Sequence, residues 1–207
     1  MKLQNRFFKT GAIFLAAFSL SACDFNTEEP TPEVTLPETE SNGLVFMREE
    51  EKLARDVYIE LFNQYDIQVF NNISRSEQTH MDLVLEMINK YGLEDPALSE
   101  EGSFVNTDLQ KLYDDLVSQG SDSQEAALIV GATIEDLDIR DLEAFKAELT
   151  NNDIIELYDL LICGSRNHLR AFTSQLANLG VTYQPQFITQ EAYDAIIAGE
   201  HEKCGQM

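Results

Sequence analysis

Ser76-Glu77-Gln78-Thr79-His80 puts a carboxylate and an imidazole three residues apart in a segment with helical periodicity. Positions i and i+3 share a helix face. Steps of four and three from Ile73 give Ile73, Glu77, His80, Val84, Met87 and Tyr91, so every other member of the stripe is apolar or aromatic. The face that carries Glu77 and His80 is therefore the core face. Leaving a charge there without its partner costs on the order of 3–5 kcal/mol. That partner is either a metal ion or other side chains. With neither, Glu77→Leu would leave the metal-free fold intact or stabilise it. An ion pair with Arg55 or Arg166 would reverse the sign.

Neighbouring segments repeat the amphipathic pattern. A first helix is predicted from about Leu44 to Tyr65, with Met47, Ala54, Val57, Tyr58, Leu61 and Phe62 inward and Glu49, Glu50 and Glu51 at its electropositive N-terminus. The second runs from Ile73 to Tyr91 and stops at Gly92. A long connection, Leu93 to Asp122, holds a short amphipathic helix from Asp108 to Gln119. The third long helix starts near Ser123 and reaches Leu149; the fourth is capped by Asn151 or Asn152 and reaches Leu179. A last short helix lies between Thr189 and Gly199. No segment alternates as a strand does. The expectation is an all-α fold: a ferritin-like four-helix bundle with a long crossover between helices two and three and a short C-terminal helix.

Carboxylate-bridged metal bundles take one inward Glu and one Glu-x-x-His helix from each half. Carboxylates bridge and neutralise two divalent ions, and imidazole adds a nitrogen donor. The first half offers Glu51, then Glu77 and His80. Glu50 is the alternative to Glu51, in step with Met47, Ala54, Val57 and Leu61. The second half offers Glu135 and Asp138, then His168, with Ser165 where the matching Glu would stand. A lone Glu-x-x-His is common as a surface pair. Co-occurrence of these residues on the inner faces of four helices is what points to metal.

The run Glu51-Lys52-Leu53-Ala54-Arg55-Asp56-Val57-Tyr58 resembles the first helix of rubrerythrin-type ferritin-like proteins. Glu77-x-x-His80 resembles their second-helix motif, and Glu135-x-x-Asp138 their third-helix pair of acids. Together with Gly164-Ser165-Arg166-Asn167-His168-Leu169-Arg170-Ala171-Phe172, the pattern is similar to a bacterial and archaeal ferritin-like family of unknown function, across residues 44–197. The resemblance implies Glu51, Glu77, His80 and Glu135 as metal ligands and Asp138 as a further one. It makes His168 a ligand or a partner behind the ligands, and Tyr58 and Ser165 hydrogen-bonding neighbours. It implies one or two ions of iron or manganese, and oxidation of ferrous iron or reduction of peroxide. The chain has no rubredoxin-like Cys-x-x-Cys, so an external electron donor would be required. A reading from another class is a non-enzymatic binding or stress-related surface module that keeps the fold and has lost the metal.

Residues 1–22 carry Lys2, Arg6 and Lys9 ahead of a short apolar run, then Leu20-Ser21-Ala22-Cys23. This is a secretory signal, and its end resembles the lipobox of bacterial lipoproteins, whose cysteine is lipidated. Residues 23–43, with Pro30, Pro32 and Pro37 among glutamates, read as a disordered tether. Residues 44–200 are the helical domain and 201–207 a tail. The expected location is extracytoplasmic, anchored to the membrane through the lipid on Cys23; Asp24 leaves the leaflet open. A formal net charge of −23 over 207 residues excludes nucleic acid, whose phosphates need a basic patch. A homodimer is the other partner expectation. Cys163 and Cys204 form an even pair outside the lipobox; they either bridge, or stay as a buried thiol and a tail thiol.

Overall fold

Six helices and no strands make up residues 36–205, the part described by a computed structural model. They are α1 (Glu38–Tyr65), α2 (Gln68–Lys90), α3 (Thr107–Gly120), α4 (Gln124–Lys146), α5 (Asn152–Asn178) and α6 (Gln190–Ala198). Cys23, residues 1–22 expected to be a signal and most of the expected tether lie outside the described residues. Among the described residues no helix is long and apolar enough to cross a membrane.

Side-chain contacts fix the topology of the four long helices. Arg48 reaches the Met81 carbonyl and Arg55 reaches Gln78, so α1 and α2 run antiparallel. Ser165 meets Asp138 and Phe172 meets Gly131, so α4 and α5 do too. Tyr58 bonds Glu135 while Gly43 packs against Phe145, which pairs α1 with α4 antiparallel. The connection 91–123 therefore returns along the length of the four helices. α3 lies in it and packs on α1 and α4 through Leu109 and Leu116, both buried.

α1 begins at Glu38, not at Leu44, and the structure corrects two expectations with it. Residues 38–43 are helix and belong to the folded part. Glu40 is buried and its Oε1 accepts from the Thr150 and Asn151 amides at 2.7 and 3.1 Å, satisfying free donors ahead of α5. The run Glu49–Glu51 then lies in the interior of α1, not in its first turn. The periodicity missed this start because Glu38, Glu40, Ser41 and Asn42 carry no apolar stripe.

α1 is buried on nearly every side, and successive charged residues face different neighbours. Glu49 accepts from the Val105 and Asn106 amides at 2.6 and 3.1 Å. Lys52 bonds Asp56 at 2.5 Å and the Glu100 carbonyl at 2.9 Å. Glu50 and Glu51 turn toward the middle of the four long helices. There the core divides in two. One apolar cluster gathers Val57, Tyr58, Phe70, Ile134, Leu169 and Phe172, and the other Leu44, Met47, Val84, Leu142, Leu157 and Leu161. Between them in sequence, on all four helices, stand the inward polar residues.

The C-terminal segment is also tied down. Arg166 and Arg170 both bind Glu202, whose carboxyl is held down to about 2 by the Arg166 hydrogen bond and then by Arg170. Cys163 and Cys204 form a disulfide with Cα atoms 5.7 Å apart.

A candidate metal centre

Helix spacing brings Glu51 from α1, Glu77 and His80 from α2, Glu135 and Asp138 from α4, and Ser165 and His168 from α5 into one buried layer. None of these side chains belongs to a residue more than 8% exposed. Two groups of ligand atoms converge, Glu51–Glu77–His80 and Glu77–Glu135–His168, and within each the atoms lie within 4.8 Å of one another. Glu77 belongs to both. Its Oε2 lies 2.8 Å from His80 Nδ1 and its Oε1 lies 2.8 Å from His168 Nδ1. Glu51 Oε2 is 3.2 Å from His80 Nδ1, and Glu135 Oε2 is 3.4 Å from His168 Nδ1. The two imidazoles stack with centroids 5.5 Å apart.

Further side chains orient these groups. Tyr58 donates to Glu135 Oε1 at 2.5 Å. His168 Nε2 meets Ser76 Oγ at 2.9 Å, which fixes the ring with Nδ1 inward. Ser165 donates to Asp138 Oδ2. Gly164 is required by His80: a Cβ there would sit 2.5 Å from His80 Nε2. Neither Arg55 nor Arg166 pairs with Glu77; Arg55 serves Asp56 and Gln78, and Arg166 serves Glu202. Ser76 and Gly164 were not legible as site residues, since neither type carries a ligand signal.

Burial and mutual repulsion dominate the electrostatics. Burial raises the Glu51 carboxyl to about 7, against the pull of His80. Burial, then Glu51 and Glu135, raise Asp138; burial also raises Glu135, against His168. Glu50 is raised well above its ordinary value by burial, then by Asp138 and Asp141. Glu77 alone goes down, because His168 and His80 together outweigh its burial. Burial opposes charge on His168, yet Glu77 and Glu135 raise it to about 10.

Whether the residues fit a metal can be judged from their unmet valences. Glu51 Oε1, Glu77 Oε1, Asp138 Oδ1 and His168 Nδ1 are buried without a hydrogen-bond partner. Glu77 Oε1 and His168 Nδ1 are close, yet out of line for a hydrogen bond. Glu77 and His168 attract each other as charges, and all four atoms still lack the hydrogen bond that burial demands. Oxygen donors with two nitrogens suit iron, manganese or zinc. The donor set fits a divalent ion.

Relatives share this architecture. An uncharacterized protein of Methanocaldococcus jannaschii, MJ0754, is 49% identical over 173 residues, covering 83% of this chain and 94% of its own length. The crystal structure of that hypothetical protein, at 48% identity, matches with a TM-score of 0.81, over 83% of this chain and 99% of its own. The family described as "Uncharacterized protein domain (DUF2202)" matches residues 40–200. The chain therefore belongs to the DUF2202 family.

Proposed function

We propose that the protein is a ferritin-like metal-binding protein that holds one or two divalent ions, iron or manganese, in the buried layer between its two apolar clusters. The observation that carries this reading is the set of buried, unpartnered donor atoms on Glu51, Glu77, Asp138 and His168. Glu51, Glu77 and His80 would hold one ion, and Glu77, Glu135 and His168 the other, with Glu77 shared. Asp138 lies outside both triads and is held by Ser165, supplying from α4 the carboxylate that α5 lacks. Iron bound here would supply electron transfer to oxygen or peroxide. The chain itself excludes bulk water with its two apolar clusters, and Tyr58 keeps one Glu135 oxygen turned away from the triad. Among the described residues both cysteines are in the disulfide, so turnover would take electrons from an external donor.

The disulfide suits an oxidising compartment, which supports export; lipidation at Cys23 is proposed from the Leu20–Cys23 sequence alone. A homodimer belongs to the same proposal.

A second reading has one observation behind it. In the metal-free chain Glu77 is already neutralised by His80 and His168, as in a purely structural network. Such a module would bind without catalysing. Elemental analysis of the full chain beside a His80→Ala, Glu135→Ala double variant separates the two. Wild-type protein that takes up no more iron, manganese or zinc than the variant refutes the metal reading. An absorbance change on adding ferrous iron and then peroxide tests oxidation. Cys23→Ser should release the protein from membranes or stop its maturation; undiminished membrane retention refutes the anchor.

A further inference from the structure

Glu50 is not a member of either ligand triad, yet it is buried to 3% exposure with neither carboxylate oxygen hydrogen-bonded. A buried carboxyl group in that condition is an exception that calls for an explanation. The antiparallel register of α1 and α4 sets it level with Asp138 on one side and Asp141 on the other, since Tyr58 meets Glu135 further along and Gly43 meets Phe145 before it. Asp138 Oδ1 is buried and unpartnered as well, and so is the hydroxyl of Tyr158 on α5, which lies within the field of Glu50. Asp141 is different: 18% of its side chain is exposed, and it is paired with Arg140 at 2.7 Å. Asp141 reaches solvent, whereas Glu50 and Asp138 are both buried beside Glu51 of the centre.

We propose that Asp141, Glu50 and Asp138 form the entry path by which a divalent cation passes from solvent to the buried centre. The proposal rests on the metal-binding reading above. A divalent ion must shed water to enter an apolar interior, and loses less if carboxylate oxygens replace it step by step. A part-exposed carboxylate, Asp141, leading to the buried oxygens of Glu50 and Asp138 does that, with the Tyr158 hydroxyl able to bond to the ion's retained water. These three acids do not form a closed triad of ligand atoms, so the path passes ions on rather than storing one. Arg140 stands at the mouth as the resident cation, and its guanidinium must give way to an incoming ion.

The test follows the loading of cobalt(II) chloride into the chelator-stripped full chain by stopped-flow absorbance. Charge focused at a cleft raises on-rates by about ten-fold or more. Asp141→Asn is expected to slow loading about ten-fold by removing charge at the mouth. Glu50→Gln is expected to slow it by a similar factor, because an amide offers the ion one oxygen where a carboxyl group has two. The double variant is expected to be scarcely slower than the worse single one, because both act on one path. Arg140→Gln is expected to speed loading. Salt should slow the wild type by a larger factor than the double variant, which keeps the rest of the chain's negative charge. Glu125→Gln, at the other end of α4, is the control. Thermal unfolding checks the fold of each variant, and a folded Glu50→Asp variant should recover most of the rate. Unchanged loading in folded Glu50→Gln and Asp141→Asn overturns the path while leaving the centre intact. A variant that loads at the wild-type rate to a smaller final amplitude makes Glu50 a ligand and overturns it too. Wild-type protein that binds no cobalt refutes the centre itself, and the path with it.

Discussion

Glu77 and Glu50 are both buried acids of the same layer, but replacing them by glutamine should move stability in opposite directions. Glu77 is ionised and lies 2.8 Å from each of two imidazoles that it holds protonated. Glu77→Gln keeps the shape, leaves His168 with only its weaker partner Glu135, and leaves His80 with Glu51 alone. Breaking a buried pair from one side costs roughly 3–5 kcal/mol. The rise of His168 from 6.5 to about 10 gives a consistent scale, because each unit is worth about 1.4 kcal/mol and Glu77 is its largest favourable partner. Glu50 has no cation. Burial, Asp138 and Asp141 keep its carboxyl protonated where an unfolded chain would ionise it. Glu50→Gln removes that penalty and should stabilise the metal-free protein by roughly 1–4 kcal/mol near neutral pH.

Urea unfolding of the chelated full chain, followed by far-UV circular dichroism, reads both changes as midpoint shifts at constant slope. Glu77→Gln should move the midpoint down and Glu50→Gln up. A burial pattern alone treats the two alike, and from sequence Glu77 would be the one whose loss stabilises. If Glu77→Gln matches or exceeds the wild type, the imidazolium clamp is wrong. If Glu50→Gln is the more damaging variant, then Glu50 has an unrecognised partner and the layer's electrostatics are misread.

Other expectations follow from the same geometry. Glu51 is raised to about 7 and His168 to about 10, so their contributions are complete below their unfolded values near 4.5 and 6.5 and are lost as pH rises through the folded ones. Metal-free stability should accordingly decline from about pH 5 to pH 10, and chemical denaturation at several pH values would reveal it; a flat or rising profile contradicts the assignment. Metal ions displace those protons, so loading should release protons, measurable with an indicator dye in weak buffer. Gly164→Ala drives a methyl to within 2.5 Å of His80 Nε2 and should cost roughly 1–3 kcal/mol while weakening metal uptake, by thermal unfolding and elemental analysis. Reducing the disulfide releases a 41-residue loop and should cost up to about 4 kcal/mol on the loop-entropy scale, read from melts with and without reductant.

Much of the fold was legible because the long helices carry apolar stripes that end at caps. Ser123 and Asn151 accept from the first-turn amides of α4 and α5, as their types predict. The start of α1 was not legible, because the gain from residues 38–43 comes from Glu40 capping a helix more than a hundred residues away. Local sequence holds no trace of such a bond. The same limit applied to Asp136, which looks like one more acid on an acidic helix. It is fully buried and accepts from Ile188 and Phe187 amides at 2.8 and 3.1 Å, which anchors the approach to α6. The ligand types and their helix faces could be read, since spacing alone decides them. Their partners could not: that Glu77 faces two histidines and Glu50 none depends on how four helices meet.

Ser165 looked like a defect in an otherwise paired ligand set, and the charge count gives it a different meaning. Glu51, Glu77, Glu135 and Asp138 carry four negative charges when ionised, which the two proposed divalent ions would balance with both imidazoles neutral. A glutamate at 165 would add a fifth charge to a layer already short of solvent, and its side chain would compete with Asp138 for the same space. Serine instead offers its one hydroxyl proton to Asp138, with the Leu161 carbonyl at 3.0 Å as the alternative acceptor. Ser165→Glu should therefore lower the stability of the metal-free protein and leave the number of ions bound unchanged. Ser165→Ala should free Asp138 and weaken uptake. If Ser165→Glu instead increases the metal bound per chain, the fourth carboxylate was missing, and Asp138 does not fill its place.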